Sequence, residues 1–458
     1  MNKNSLRENL RTMLQNILPS AKVGLGNFRS ERHFLGDDSY SWMYTEGEPP
    51  IHLRPDPSAQ LGPSFGLVNE GSDAFDRFIE DLGTDSILRG KISTQALEKS
   101  LEKLLRTFRD NPDALYSELD EAIQAEIIAL RSSIQKWTSL APIDFLVFEN
   151  IPELSVGKVV FRPTASLYER ALNEFNARID QVVSYSSEQK QQMKQEIKKY
   201  FDQTILPTPV CAEVTVEAEA SQVQQLAASE IDVSLNLLRC YTYLLFDRKL
   251  RARMGLRGEN MYVMRPIVGF AESDPSWVFN FQSIGILHPF KLSTDVVELL
   301  NRKYSLGILN QTLAKLDVDR SKLERAVVTS IRWLGRSVMA PDLPEKVLNL
   351  AAASERLLTG DDEDKSEIAE RFARRLAFLI RDTPEDRLNI SIRARELYKV
   401  RNKVIHAGKT DVDENDVKEM EILTFQALVK MAHHLGEWSK HEQFSRWVEA
   451  KSYNIEAT

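Results

Sequence analysis

The last third of the chain constrains the fold most, because it carries helical periodicity without a convincing strand signal. From Ser321 to about Trp447, apolar residues recur at helical spacing between short polar connectors. Five amphipathic helices are predicted there, and the third, fourth and fifth span about 365–380, 385–407 and 414–438. Gly408 follows the fourth helix, where a C-terminal cap favours glycine. We therefore expect an all-helical bundle over 319–458.

The remainder of the chain divides into a mostly helical part and a mixed part. Residues 1–135 are predicted to be mainly helical, with a loop near 46–72 where turn-forming residues cluster. Residues 136–318 alternate helical patterns with short strand patterns, of which 143–148 and 212–216 are the clearest. The expected class is an α+β multidomain protein, mainly helical, with a small sheet in the middle region.

Composition limits the compartment and the partners. The 458 residues contain two cysteines, too few for a disulfide framework, and no apolar run long enough to cross a bilayer or to act as an export signal. A cytoplasmic protein without a membrane partner is expected. The net charge of −8 argues against a surface coated in basic residues, so the distribution of charge matters more than its sum.

A basic run spans Arg371 to Lys403, where ten lysines and arginines face four acidic residues. The run predicts a surface that contacts phosphate, and the residues assigned to RNA binding are Arg395, Lys399 and Lys403. The alternative is an ordinary solvated pair of helical faces. Charge alone leaves both interpretations open.

Within the fourth helix, Arg401 falls on the apolar face of a helical wheel drawn at ~100° per residue. A guanidinium on a packing face is costly unless an anion meets it, and Glu355 of the second helix, an RNA phosphate, or both in turn would serve. Asn402 and His406 lie four residues apart at the edge of this face. The helix dipole near Gly408 favours a protonated imidazole at His406.

Arginine and histidine together suit RNA cleavage without a metal or cofactor, because RNA carries its own nucleophile in the 2′-hydroxyl. His406 would transfer protons, Arg401 would stabilise charge on the phosphoryl oxygens, and Asn402 would orient the imidazole or hold an oxygen. An arginine five residues before a histidine also arises by chance. The structural alternative is that Arg401 pairs with Glu355 for packing alone.

Three segments of this region carry a resemblance to a known family. They are Ile331–Leu334, 352–358 and 397–408, and through them the stretch from about Leu323 to Trp438 resembles the HEPN superfamily, in particular its ApeA-like branch. The resemblance implies a homodimer with one composite RNA-cleaving cleft, and assigns catalysis to Arg401, Asn402 and His406 with Glu355 in support.

The same resemblance also implies a role in antiphage defence or as a toxin. Some members of the family keep the fold for binding alone, so a non-catalytic scaffold for RNA or protein remains the alternative. The long region before residue 319 has no recognisable catalytic constellation. We expect it to sense or regulate, for example by recognising a phage-derived trigger.

Overall fold

The computed structural model describes most of the chain as helices, with several small sheets. The described residues are 3–15, 17–18, 29–35, 38–44, 51–53, 66–67, 70–85, 87–110, 118–245, 254–257, 264–270, 277–283, 289–359, 368–408 and 410–453. The expected coarse α+β class, mainly helical, is confirmed. The chain forms two compact units, one of Met1–Trp137 with Val216–Leu226 and the other of Thr138–Thr215 with Ala227–Thr458.

The first unit is a set of helices around one apolar core, accompanied by a sheet. The helices are α1 (Lys3–Gln15), α2 (Glu70–Gly83), α3 (Thr94–Asp110) and α4 (Leu119–Ser133). Their apolar stripes bury Phe75, Phe78, Leu101 and Leu105 almost completely, as expected for amphipathic helices that pack together. The five strands are β1 (Ile17–Leu18), β2 (Arg29–Leu35), β3 (Asp38–Tyr44), β4 (Ile51–Leu53) and β5 (Gly66–Leu67), in the order β1-β5-β4-β3-β2.

Strands β4 and β5 lie inside the range 46–72 that the sequence predicts to be loop. Each is very short, and each is defined by antiparallel pairing with a neighbour, as in Met43 opposite Ile51 and Leu53 opposite Gly66. Such strands depend on non-local partners and have almost no periodicity of their own. Residues 70–72 of the predicted loop begin helix α2, and beyond these elements the residues of that range lie outside the described residues.

Small sheets and helices follow α4, most of them in the second unit, and they agree with the predicted α+β pattern. One sheet has the order β11-β6-β10-β9-β8, β12 pairs with β13, and β7 pairs with β14 in parallel. These strands are β6 (Gln135–Asp144), β7 (Leu146–Glu149), β8 (Leu154–Val156), β9 (Val159–Pro163), β10 (Val210–Ala218), β11 (Gly255–Leu256), β12 (Met264–Phe270), β13 (Trp277–Ser283) and β14 (Phe290–Ser293). The helices are α5 (Thr164–Gln181), α6 (Ser187–Tyr200), α7 (Val223–Leu245), α8 (Thr294–Tyr304) and α9 (Leu306–Ala314), and a π-helical turn, Phe201–Ile205, follows α6.

The single strand predicted over 143–148 is interrupted. Phe145 has φ of +61° and separates β6 from β7, so that the chain leaves one sheet and joins another. Apart from Asp144, the residues of this segment are apolar and favour extended structure, so the pattern predicts one continuous strand. Pairing of Phe290 with Leu146 draws β7 away from β6.

The C-terminal part of this unit contains six helices within the described residues. They are α10 (Lys322–Met339), α11 (Leu343–Leu358), α12 (Ile368–Ile380), α13 (Pro384–Ala407), α14 (Glu414–His433) and α15 (His441–Ser452). The five predicted helices are present, but the fifth ends at His433, not near residue 438, and α15 was not predicted. Trp438 lies in the connector and is buried against His434 and Trp447. A buried apolar residue at this spacing resembles one more turn of the amphipathic helix, which explains the predicted end near residue 438.

Helix α11 occupies the middle of this bundle and packs against α10, α13 and α14. Its last turn is held by two side chains, since Nη1 of Arg375 donates to the Leu358 carbonyl at 2.9 Å and Nε2 of His441 lies 3.1 Å from the Leu357 carbonyl. Both side chains engage carbonyls that have no partner within the helix, and the charge of Arg375 is favourable at a C-terminal helix end. This arrangement fixes the turn that carries Glu355.

The predicted boundary at residue 318 falls inside the second compact unit, just before the capping box in which Ser321 and Glu324 begin α10. Each helix in the described ranges is too short or too polar to cross a bilayer.

Candidate functional site

Helix α13 carries all the predicted catalytic residues, and both of its ends are well defined. The Thr383 hydroxyl accepts from the backbone N–H of Asp386 at the first turn, and Gly408 has φ of +59° and donates its N–H to the Lys403 carbonyl. The predicted C-terminal cap at Gly408 is confirmed. A left-handed residue at this position suits glycine, which has no Cβ penalty there.

The buried face of α13 is narrower than the wheel predicts. Ala394, Leu397, Tyr398 and Val404 are buried, whereas Ile405, which the wheel places on the apolar face, is 45% exposed. Helical spacing defines an arc of candidates but not how much of that arc a neighbouring helix covers. The helix therefore presents only a thin strip of side chains to the bundle.

Arg401 lies at the edge of this strip and faces Glu355 of α11. Its Nε is 3.2 Å from Oε1 of Glu355, and the two side chains are 23% and 25% exposed. Both atoms are buried and are not aligned for a hydrogen bond with each other or with another group that the structure describes. The contact is an ion pair without an aligned hydrogen bond between these two atoms. Glu355 is the anionic partner that a half-buried guanidinium needs.

Asn402 and Tyr398 complete the surroundings of the guanidinium. Nη1 of Arg401 donates to Oδ1 of Asn402 at 3.0 Å, and the guanidinium carbon lies 5.5 Å from the centre of the Tyr398 ring. Burial and then the charge of Glu355 raise the pKa of the Tyr398 hydroxyl. Tyr398 was not predicted as a site residue, although its position three residues before Arg401 puts both on one face of the helix.

His406 stands apart from this group. It is exposed in the last turn of α13, and it makes no hydrogen bond or ion pair within the described parts of the chain. The helix continues regularly to Ala407, so residues five apart project ~140° from each other. The structure thus brings Arg401, Asn402 and Glu355 together and directs His406 to solvent. The side-chain amide oxygen of Asn402 accepts from Arg401 in this structure, whereas the sequence predicts that Asn402 orients the imidazole or holds a phosphate oxygen.

The three residues predicted to bind RNA differ in their availability. Lys399 and Lys403 are exposed on α13 and have no partner among the residues that the structure places. Arg395 donates from Nη1 to Oε2 of Glu370 at 3.0 Å and from Nε to the Ser391 carbonyl at 3.2 Å. Its charge is therefore already paired with a carboxylate of α12.

Other arginines of the basic run have structural roles, as the alternative interpretation of that run expects. Arg393 donates to Glu396, Asp416 and Glu419, and these carboxylates, led by Glu419, raise the pKa of its guanidinium. Arg375 is buried and, besides contacting Leu358, donates from Nη2 to the Ser445 hydroxyl at 2.6 Å. These side chains join helices and do not form a surface for phosphate.

Chemically, the site is an anchored guanidinium on one face of α13, with an exposed imidazole ~140° around the same helix. Arg401 uses Nη1 on Asn402 and turns Nε to Glu355, while Nη2 has no partner in the described ranges. One edge of the planar fork is therefore open to an anion such as a phosphate oxygen.

Comparison of the chain with known protein families, with curated proteins and with solved structures finds no match. The HEPN resemblance of the stretch from Leu323 to Trp438 accordingly stays a prediction from the sequence. What it implies about activity belongs to the proposal that follows.

Proposed function

We propose that this chain is a metal-independent endoribonuclease of HEPN type, which cleaves RNA by transesterification through the 2′-hydroxyl. The observation that supports the proposal is the state of Arg401. Its guanidinium is held by Glu355 and Asn402 with one edge open, and it lies five residues before the exposed His406. Phosphoryl transfer from a 2′-hydroxyl needs a fixed cation for the phosphoryl oxygens and a general acid–base group such as an imidazole, and α13 carries both kinds of residue.

In the proposed reaction, His406 removes the proton of the 2′-hydroxyl, and the oxygen attacks the adjacent phosphorus. The bond from phosphorus to the 5′-oxygen breaks, and that oxygen takes a proton from a second imidazole. Arg401 stabilises the charge that builds on the non-bridging oxygens. The products are a 2′,3′-cyclic phosphate and a 5′-hydroxyl, and Lys399 and Lys403 would hold neighbouring phosphates.

The second imidazole would come from a second copy of the chain, in the homodimer that the resemblance implies. One exposed stripe of α13 supports this arrangement. Leu388 and Ile392 are 59% and 47% exposed, and they lie within ~40° of Lys399 and His406 on the helical wheel. Exposed apolar side chains in line with the candidate histidine fit an interface that brings two such histidines to one cleft.

A non-catalytic HEPN scaffold that binds RNA or a protein is the second candidate. The separation of Arg401 and His406 around the helix favours it, because a single copy does not place both side chains on one phosphate. Glu355 also satisfies Arg401 without any ligand. In this reading the Arg401–Glu355 pair joins α13 to α11, and His406 is an ordinary helix-end residue.

Cleavage of labelled RNA by the full chain in the presence of a chelator separates the two candidates. Arg401→Ala and His406→Ala are each expected to reduce cleavage about 10²- to 10³-fold or more, the range measured for lost oxyanion stabilisation and general acid–base groups. Asn389→Ala, an exposed position on the same helix, is the matched control and is expected to leave the rate unchanged. Mass analysis should find 2′,3′-cyclic phosphate ends.

Cleavage that survives both substitutions would rule out the nuclease assignment at this site. RNA binding by the unchanged chain without any cleavage would favour the scaffold. Regulation by the region before residue 319, for example by a phage-derived trigger in antiphage defence or toxicity, is proposed from architecture alone. It predicts that full chain and isolated 319–458 differ in their response to infection.

A further inference from the structure

A group of cations lies around the short turn 381–383 that joins α12 to α13. Nη1 of Arg381 donates to the Ile380 carbonyl at 2.9 Å and to Oε1 of Gln426 in α14 at 3.3 Å. Gln426 lies one helical turn before Lys430, which is exposed. Nε of Arg387 donates to the Arg381 carbonyl at 3.1 Å, and its guanidinium lies 4.5 Å over the Phe378 ring.

The end of α15 adds to the same place. Nζ of Lys451 lies 3.8 Å from Oδ1 of Asp382 and 4.2 Å from the centre of the Trp447 ring. In the next residue, the Ser452 hydroxyl accepts from Nη2 of Arg374 at 2.9 Å. Cations from α12, α13, α14 and α15 therefore meet at one end of the bundle.

The charges of this group are poorly neutralised. Arg374, Arg381 and Arg387 donate to neutral hydroxyl, amide and carbonyl oxygens. Lys430 has no partner among the described residues. Among the residues that the structure describes, the one carboxylate in contact with these cations is that of Asp382, which is 90% exposed and 3.8 Å from Lys451. Asp386, close by at the start of α13, accepts from the Thr383 hydroxyl at 2.7 Å.

The state of Lys451 reflects this excess of positive charge. Burial lowers the pKa of its ammonium group, and Arg387 and Lys430 lower it further, against the opposing effect of Asp382. A folded chain of net charge −8 that gathers like charges around a half-buried lysine bears an electrostatic cost there. An anion seated among these side chains would remove that cost.

We propose that Arg374, Arg381, Arg387, Lys430 and Lys451 form a binding site for the phosphate groups of a single-stranded RNA backbone. The arginines offer planar forks for phosphate oxygens, and the lysines add mobile point charges. The cations come from four helices and are spread over a surface, which suits successive phosphates of a strand better than one enclosed ion. Arg387 lies fourteen residues from Arg401, ~21 Å along α13, so this is a separate site that does not depend on cleavage.

The test measures binding of a fluorescein-labelled single-stranded RNA by the full chain carrying His406→Ala, over a range of salt concentrations. Adding Lys430→Gln with Lys451→Gln is expected to lower the magnitude of the salt slope by about 1.4, since each phosphate contact on a single strand contributes ~0.7. Affinity near ~0.1 M salt should then fall about 25-fold. Lys430→Gln alone, at an exposed position that leaves the fold intact, should lower the slope by about half as much.

Lys303→Gln with Lys322→Gln is the charge-matched control, because both lysines are exposed in the same compact unit and make no hydrogen bond or ion pair with the described residues around the turn. An unchanged slope and affinity in the Lys430 and Lys451 variants would overturn the proposal, and so would an equal loss in the control. Binding of inorganic phosphate, measured by calorimetry, is the last part of the test. Loss of phosphate binding in the double variant with full RNA affinity would assign the site to free phosphate and overturn the RNA assignment.

Discussion

Nε of Arg401 lies 3.2 Å from Oε1 of Glu355, and this pair joins the long helix α13 to the central helix α11. The two atoms are buried but not aligned for a hydrogen bond, so the pair is electrostatic and its geometry can change at little cost. An incoming phosphate would compete with Glu355 for the same guanidinium. The Arg401–Glu355 pair therefore joins two helices in the free protein. In the proposed enzyme it also holds the guanidinium in position for the phosphate.

The strength of this pair can be measured by a double-mutant cycle. We expect Glu355→Ala and Arg401→Ala to show a coupling free energy of about 1 kcal/mol, above that of an exposed pair because both side chains are only about one quarter exposed. Urea unfolding of the single and double variants gives the value. The i,i+4 pair of Lys418 and Glu414 on α14 is the control, with about 0.3–0.5 kcal/mol expected. Equal coupling free energies in the two cycles would mean that partial burial does not strengthen the Arg401–Glu355 pair.

Tyr398 predicts a dependence of stability on pH. Its pKa is raised by burial and by Glu355, so the folded state holds the phenolic proton more tightly than the unfolded state. The associated stability is fully present below the ordinary tyrosine pKa of about 10 and is lost as the pH rises through the higher folded pKa. Unfolding free energies of the wild type should fall more steeply above about pH 10 than those of Tyr398→Phe. Parallel curves would contradict the shift.

Gly335 predicts a strong steric effect where α10 approaches α7. A Cβ at this position would lie 2.4 Å from Cβ and 2.5 Å from Cα of Asn236, and a backbone atom cannot move aside cheaply. Gly335→Ala is expected to destabilise the protein by about 3 kcal/mol, seen as a lower midpoint in chemical unfolding. Gly436→Ala, where a Cβ meets nothing within 4 Å, should change stability by no more than about 0.5 kcal/mol.

Substitution of Arg375 tests whether the buried arginines of the basic run stabilise the fold. Its guanidinium donates to the Leu358 carbonyl and the Ser445 hydroxyl, and Arg375→Ala should cost about 2–3 kcal/mol because it removes charge-assisted hydrogen bonds from a buried site. The neighbouring Arg374 is exposed, and Arg374→Ala should cost about 0.5 kcal/mol or less. Thermal or chemical unfolding of both variants measures the two losses of stability. Equal losses would contradict a structural role for Arg375.

The sequence by itself determined five of the six described helices of the C-terminal bundle and the cap at Gly408. Amphipathic periodicity and capping residues act within a few residues of the chain, so their effect can be read locally. The same locality placed Arg401 on the packing side of α13 and identified its need for an anion. It also predicted the α+β character of the middle region, since alternation in a segment such as 212–216 is a local property.

Only the tertiary structure decided which partners these residues meet. The break at Phe145 and the strands within 46–72 depend on pairing with segments distant in sequence. Charges behave in the same way, because neutralisation depends on what the fold brings within a few ångströms. The fold pairs Arg393 and Arg395 with carboxylates, and it gathers Lys430 and Lys451, which lie outside the basic run, beside Arg387. The fold also pairs Arg401 with Glu355 and exposes His406 to solvent.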